Sequence, residues 1–228
     1  MPFYIDVANK RILIIGGGSE GVKRATKYAD AGAQVTVLAK HFDADLRLAV
    51  TRGAIKTVKA DVSDTGLVEK LICNSDLVMV ALDTRKYNHV LVAMGQRAHK
   101  FVNLTNDAAA TEVIVPVENQ VHGIRLAATS EGKSVHVTRE ALQRAVRFLE
   151  EQRDLWLLFD LMQELRQMLK TRGIPLETRM EIYPTIYWDP HLREEAGKQN
   201  IKRAREVMYA AVNRLLATPS GHEGANHE

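Results

Sequence analysis

Cysteine is almost absent from this chain: Cys73 is the only one. A single thiol excludes an intrachain disulfide and a multi-cysteine metal site, and it fits a reducing cytoplasm. Long apolar runs are missing as well. No uncharged stretch approaches the roughly 18–20 residues of a membrane span, so no membrane partner is expected. Met1-Pro-Phe-Tyr-Ile-Asp6 lacks a basic region followed by an apolar core, so no secretory signal is expected. H-x-x-H and H-E-x-x-H spacings are absent, and no metal site is expected. Strong charge of either sign is also lacking. A net charge of +3 suits an anionic small ligand and is no nucleic-acid footprint, so no nucleic-acid partner is expected. What is present, 46% hydrophobic and 26% charged residues in a chain of 228, is the make-up of a globular protein with one or two cored domains.

The informative stretch is Arg11-Ile-Leu-Ile-Ile-Gly-Gly-Gly-Ser-Glu-Gly21. A short apolar run flows into Gly16-x-Gly18-x-x-Gly21, and a helical pattern follows. A lone G-x-G-x-x-G is weak, but one that ends a strand and opens a helix gives each glycine a task. Gly16 makes the tight turn, Gly18 lets the backbone approach a pyrophosphate, and Gly21 lets the helix pack close to the sheet. Gly16, Gly17, Gly18, Ser19, Glu20 and Gly21 are therefore expected to hold a dinucleotide at a helix N-terminus. A domain that kept this turn for structure alone is the competing reading.

Strands are expected over Arg11–Ile15, Gln34–Leu38, Ala54–Val58, Asp76–Val80 and Phe101–Asn103. Helical patterns lie between them, near 20–31, 43–51, 64–72 and 84–98. Apolar strands alternating with helices predict an α/β Rossmann-like parallel sheet. After Asp107 the pattern changes. Val113–Val117 and Gly123–Ala128 read as two strands too close for a helical crossover, and so antiparallel. Thr138 is a weak N-cap for a helical pattern over Leu142–Leu169, which Gly173-Ile-Pro175 breaks. Residues 176–186 are ambiguous, and a last helix is expected over 192–216.

The second strand should end in an acid for the ribose of NAD, about 20 residues beyond the glycines. It ends instead in Val37-Leu38-Ala39-Lys40-His41. Ala39 and Lys40 are still expected beside the cofactor. Lys40 leaves room for a 2′-phosphate, so NADP stands beside NAD, and a solvated loop lysine is the plain alternative. Leu82 and Asp83 end the fourth strand, where the chain passes beside such a cofactor. Asp83 or Thr84 as a helix cap is the plain alternative there.

At this point the chain resembles a known family. Gly16 to Val37, Asp76-Leu-Val-Met-Val-Ala81 with Asn88 downstream, and Phe101-Val-Asn-Leu-Thr-Asn-Asp107 are similar to segments of the precorrin-2 dehydrogenase and sirohydrochlorin ferrochelatase family, the N-terminal module of siroheme synthase. Val113-Ile-Val-Pro116, Gly123 to Ser134 and Arg139 resemble its dimerisation segment. The resemblance covers roughly residues 8–150. It implies a cytoplasmic homodimer that uses NAD to oxidise precorrin-2, a polycarboxylated tetrapyrrole, to sirohydrochlorin. In some members Fe²⁺ is then inserted as a chelatase substrate. It also implies a dinucleotide-binding domain over 1–112 and a β dimerisation segment over 113–141; beyond them the helical pattern predicts a helical domain over 142–218, and the polar tail over 219–228 is expected to be disordered. Arg125, Lys133, Ser134, His136 and Arg139 become candidates to meet the carboxylated substrate. His122 and His136 become candidates for transient metal contact.

The resemblance departs at one position. The family's key aspartate matches Asn106 here, and an amide cannot act as a general base. Either Asp107 takes over, or that chemistry is lost, or Asp107 is only a turn residue. Three functions stay open: an NAD(P)-dependent dehydrogenase, a chelatase or tetrapyrrole carrier without redox activity, and a degenerate dinucleotide-binding regulator. Trp156, Phe159, Met162 and Leu165 recur at helical spacing, as a packed core or as an apolar wall for a macrocycle.

Overall fold

A computed structural model describes residues 4–50 and 55–217, with side chains 47–49 left out. The chain divides into two compact units, Met1–Val117 with Ala127–Arg139, and Glu118–Leu126 with Glu140–Glu228.

The first unit holds a five-stranded sheet in the order β3-β2-β1-β4-β5. Its strands are β1 (Arg11–Ile15), β2 (Gln34–Ala39), β3 (Ile55–Lys59), β4 (Leu77–Val80) and β5 (Phe101–Leu104), and all neighbours pair in parallel. Successive side chains of β1 point to opposite faces. Ile12 and Ile14 pack with Val35, Val37, Leu77 and Met79, together with Val22 and Ala25 of α1 (Ser19–Asp30) and Leu46 of α2 (Ala44–Val50). Leu13 and Ile15 pack with Leu38, Val78 and Val80, against Val68 and Ile72 of α3 (Thr65–Cys73) and Leu91 and Met94 of α4 (Asn88–Arg97). Burial on both faces explains why β4 reads as an unbroken apolar run. The winding reverses between β1 and β4, and in sheets wound this way ligands bind beyond the carboxyl ends of the strands at that point.

Five expectations need correction. Val113–Val117 is not a strand. Val113 and Val115 pack on the core while Ile114 is 44% exposed, so the alternation is real, but the segment lies along the edge of β5. The two residues before it tie it to β5: Glu112 Oε2 accepts the Val102 amide at 3.1 Å and Thr111 Oγ1 accepts the Leu104 amide at 2.8 Å, while Asn103 Nδ2 donates to Val113 O at 2.6 Å. The true partner of β7 (Ile124–Ala128) is β6 (Val117–Val121). The turn between them is His122-Gly123 with φ of 44° and 83°, the two positive values of a type I′ hairpin.

The fourth helix starts at Asn88 and not at 84, because Thr84 Oγ1 accepts the Lys86 amide in a local turn. The fifth helix, α5 (Val135–Glu150), is capped by Ser134, whose Oγ accepts the Val137 amide at 3.3 Å, and not by Thr138. The pattern over 142–169 breaks at Glu151-Gln152 into α5 and α6 (Arg153–Thr171).

In the second unit, Leu157, Leu158, Leu161, Leu165 and Leu169 of α6 are buried. They meet Ile182 and Ile186 of α7 (Leu176–Tyr187), Leu192 of α8 (Pro190–Gly197), and Met208 and Val212 of α9 (Ile201–Ala217). The ambiguous 176–186 is thus helical, and 192–216 is two helices. Asp189 caps α8 through Oδ1, which accepts the Leu192 amide at 3.0 Å. Trp156 is 6% exposed and donates from Nε1 to the Leu149 carbonyl at 2.6 Å. Its ring stacks on His122 with centroids 4.4 Å apart. Trp156 and Leu165 are therefore core residues, with Phe159 and Met162 packed beside them. The tail expected over 219–228 lies outside the described residues.

Candidate dinucleotide site

The glycine loop sits at the sheet's switch point and is held from three strands. Gly16 donates its amide to Leu38 O of β2 at 2.9 Å. Its φ is +126°, and a Cβ there would overlap the Ala81 carbonyl oxygen and lie 2.7 Å from the Ala81 carbon. Only glycine lets the loop cross the end of β4 this closely. At Gly17 a Cβ would overlap His41 O and lie 2.8 Å from Ala39 Cβ, and the Asp43 amide donates to Gly17 O at 2.9 Å. The loop therefore packs on the end of β2. At Gly21 a Cβ would overlap the Gly16 carbonyl oxygen, so the first turn of α1 sits on the glycine turn itself.

Gly18 differs from the rest: a Cβ there would meet nothing within 4 Å. It is the N-cap of α1 and provides no side-chain cap. The first helical amides, on Ser19, Glu20 and Gly21, precede the first intrahelical bond, from Val22 N to Gly18 O at 3.0 Å. An open face, uncapped amides and the positive end of a 12-residue helix fit a pyrophosphate. Glu20, in that first turn, has its carboxylate held by Arg24 Nε at 2.9 Å.

The neighbouring strand ends complete the rim. Lys40 follows β2 and is ion-paired with Asp61, which follows β3. The pair raises the Lys40 pKa and holds Asp61 at about 2, the Asp61 effect coming first from Lys40 and then from the Ser63 amide. Asp83 is exposed in the segment between β4 and α4. Leu82 O, in the same segment, accepts from Asn106 Nδ2 at 2.8 Å, and Thr84 O accepts from the same nitrogen at 3.3 Å. Carbonyls only accept, so the Asn106 amide group must face them, and its Oδ1 then accepts from Asn88 Nδ2 at 2.9 Å. Asn88 is 4% exposed, and its Oδ1 is a buried acceptor with no partner among the described residues. Asn106 is thus a brace between β5 and the segment after β4. Asp107 Oδ1 accepts the Ala110 amide at a long 3.4 Å, and no other hydrogen bond is made by its side chain among the described residues.

The substrate candidates divide between the two units. Lys133, Ser134 and His136 belong with the first, and Arg125, on β7, with the second. Within the first unit a Cβ on Gly132, at φ +85°, would overlap Ala108 Cβ. This packs the 130–134 turn against the segment that carries Asn106 and Asp107. Ser134 is occupied as the cap of α5, while Lys133 and His136 are exposed. Among the described residues no group of three His, Cys, Asp or Glu side chains is placed to hold a metal ion, and no helix is long and apolar enough to cross a membrane. Sequence reasoning missed Asp61, which reaches Lys40 across a strand pairing. It also gave Asn88 no role, although an asparagine opening a helix beside a second asparagine was legible.

Comparison with known proteins agrees with this geometry. A family model described as "Putative NAD(P)-binding" matches residues 3–117. A siroheme synthase of Xylella fastidiosa (strain M12) is 25% identical over 221 residues, 96% of this chain and 45% of that protein. "Siroheme synthase 3" of Aeromonas hydrophila is 28% identical over 139 residues, 61% of this chain and 29% of its own length. This chain therefore spans less than half of those relatives. A "Putative precorrin-2 dehydrogenase" of Methanocaldococcus jannaschii is 22% identical over 201 residues, 87% of this chain and 95% of that one. The solved structure of SirC, a precorrin-2 dehydrogenase, superposes with a TM-score of 0.67 at 16% identity, over 92% of this chain and 99% of its own. The fold is shared along the whole of that structure.

Proposed function

The chain belongs to this NAD(P)-binding family, whose model takes in residues 3–117, and from that footing we propose that it oxidises precorrin-2 to sirohydrochlorin with NAD. The observation that carries the proposal is the open, uncapped glycine loop in a chain whose fold matches SirC nearly end to end. The siroheme synthases and the precorrin-2 dehydrogenase among its relatives support the same substrate.

The reaction removes two electrons and two hydrogens from the macrocycle, one hydrogen as hydride and one as a proton. Bound NAD supplies the hydride acceptor. The chain's own residues hold and orient. Ser19, Glu20 and Gly21 offer backbone amides to the pyrophosphate. Asn106 and Asn88 brace the Leu82–Thr84 segment, which would hold one side of the cofactor. Asn106 cannot take the proton, because it has no basic atom and its amide group is spent on two carbonyls. Asp107 is the adjacent carboxylate with acceptor capacity left, and in this reading it takes the ring proton. Lys133, Ser134 and His136, all of the first unit, meet the substrate's carboxylates, Ser134 through the turn it caps.

Residues 1–112 then form the dinucleotide domain, 113–141 the dimerisation segment and 142–218 the helical domain. The partner is a second copy of the chain. Among the described residues the β6–β7 sheet has two strands, and a lone hairpin is marginal in water without further pairing. A cytoplasmic location goes with the single thiol. Fe²⁺, where it is used, is a substrate of a later step.

Anaerobic incubation with precorrin-2 and NAD tests the proposal. Nicotinamide reduction in step with sirohydrochlorin absorbance is the expected result. Tetrapyrrole binding without turnover would overturn it in favour of a chelatase or carrier.

A further inference from the structure

The end of β2 lacks the acid that would accept a ribose hydroxyl, and the structure brings one to that place from the next strand. The pairing of β2 with β3 continues one residue past the ladder, where the Ala60 amide donates to Ala39 O at 3.1 Å. This sets Asp61 beside Lys40, and the two side chains form an ion pair. Asp61 is the anchored member. Its Oδ1 also accepts the Ser63 amide at 2.9 Å, and its side chain is 34% exposed against 61% for Lys40. The pair adjoins the glycine loop, because Ala39 and His41, on either side of Lys40, are the residues that a side chain at Gly17 would strike.

We propose that Asp61 sets the cofactor specificity of this site, accepting the ribose 2′-hydroxyl of NAD and neutralising Lys40 so that the 2′-phosphate of NADP is refused. A hydroxyl can donate to a carboxylate, whereas a phosphate has no donor to offer at neutral pH and meets like charge. Lys40 alone would attract a 2′-phosphate. Paired with Asp61, it leaves the pocket near neutral. The role given to the end of β2 in dinucleotide-binding sheets is thus supplied from the end of β3. This inference rests on the NAD(P)-binding reading above.

The test is equilibrium binding of NADH and NADPH, read by nicotinamide fluorescence with no tetrapyrrole present. The proteins compared are the wild type, Asp61→Asn, Lys40→Gln and the double variant. The wild type is expected to bind NADH about tenfold or more tightly than NADPH. Asp61→Asn should shift that ratio toward NADPH by about tenfold, mainly by gaining NADPH affinity. Adding Lys40→Gln should cancel the gain. Thermal melts should be nearly unchanged, because the pair is exposed and holds little of the fold. Both dinucleotides binding with an unchanged ratio in Asp61→Asn would overturn the role of Asp61 and leave the NAD(P) reading standing. A wild type that prefers NADPH would do the same. A wild type that binds neither would overturn both.

Discussion

Gly16→Ala separates a turn kept for geometry from a turn kept for a ligand. Two costs add at this position. A φ of +126° is closed to an L side chain, at about 1–3 kcal/mol. The new methyl also overlaps the Ala81 carbonyl, and overpacking against neighbours that cannot rotate away costs about 1–3 kcal/mol more. Their sum, near 4 kcal/mol, is a large share of the roughly 5–15 kcal/mol that holds a domain together. For a unit of this size it corresponds to a melting point about 15 °C lower. Gly18→Ala is the control. Its φ of −77° is ordinary and a Cβ there meets nothing within 4 Å, so the cost is that of a poorer N-cap, about 0.5–1 kcal/mol. Yet the methyl projects where the pyrophosphate would approach. Gly18→Ala should keep nearly the wild-type melt and lose about tenfold or more in NADH affinity, as measured by fluorescence titration. Chemical denaturation of the two variants, each followed by that titration, decides the matter. Equal destabilisation of both, or wild-type NADH binding by Gly18→Ala, would refute the assignment of the open face to the cofactor.

Asn106→Asp should destabilise the first unit by about 2–3 kcal/mol at pH 7, because a carboxylate would face the Leu82 and Thr84 carbonyls. That environment raises the folded-state pKa of the new acid, so the loss should shrink as pH falls from 7 towards 5 and the acid protonates. A pH-independent loss would count against the brace. Asp76 is held at about 2 by Arg11, through the guanidinium first and the Arg11 amide second. A depressed carboxylate stabilises above its unfolded pKa of about 3.9 and loses that contribution as pH falls towards 2. The urea midpoint of Asp76→Asn should therefore lie below wild type at pH 6 and converge with it near pH 2. Trp156→Ala empties a buried site and removes the hydrogen bond to Leu149 O, and it should cost the second unit about 3–5 kcal/mol in denaturant titration. Its near-ultraviolet dichroism from the His122 stack should vanish as well.

Where one physical cause acted alone, the sequence was readable. β1, β2, β4 and β5 start within one residue of expectation, because burial on both faces leaves apolar runs that no other element of that length would carry. Where two causes share one pattern it misled. Val113 and Val115 alternate inward as a strand would, yet they serve the core from a segment that caps the edge of β5 through Thr111 and Glu112. The helical period over 142–169 continues across Glu151-Gln152 because both flanking helices bury apolar faces, and periodicity does not register a two-residue break. The glycines were legible because three of them are fixed by backbone overlap that any side chain would create.

The partners of Asn106 and Lys40 were not legible, since both depend on strands meeting at the carboxyl edge. Read alone, Asn106 is a lost base and Lys40 an unpaired cation. In the fold, Asn106 is the donor that two carbonyls require, and Lys40 is half of a neutral pair. The same edge thus changes the meaning of both departures from expectation. An amide at 106 fits its surroundings better than a carboxylate would, which is why the proposed proton removal is assigned one residue on, to Asp107. The missing ribose acid has to be sought one strand over, at Asp61.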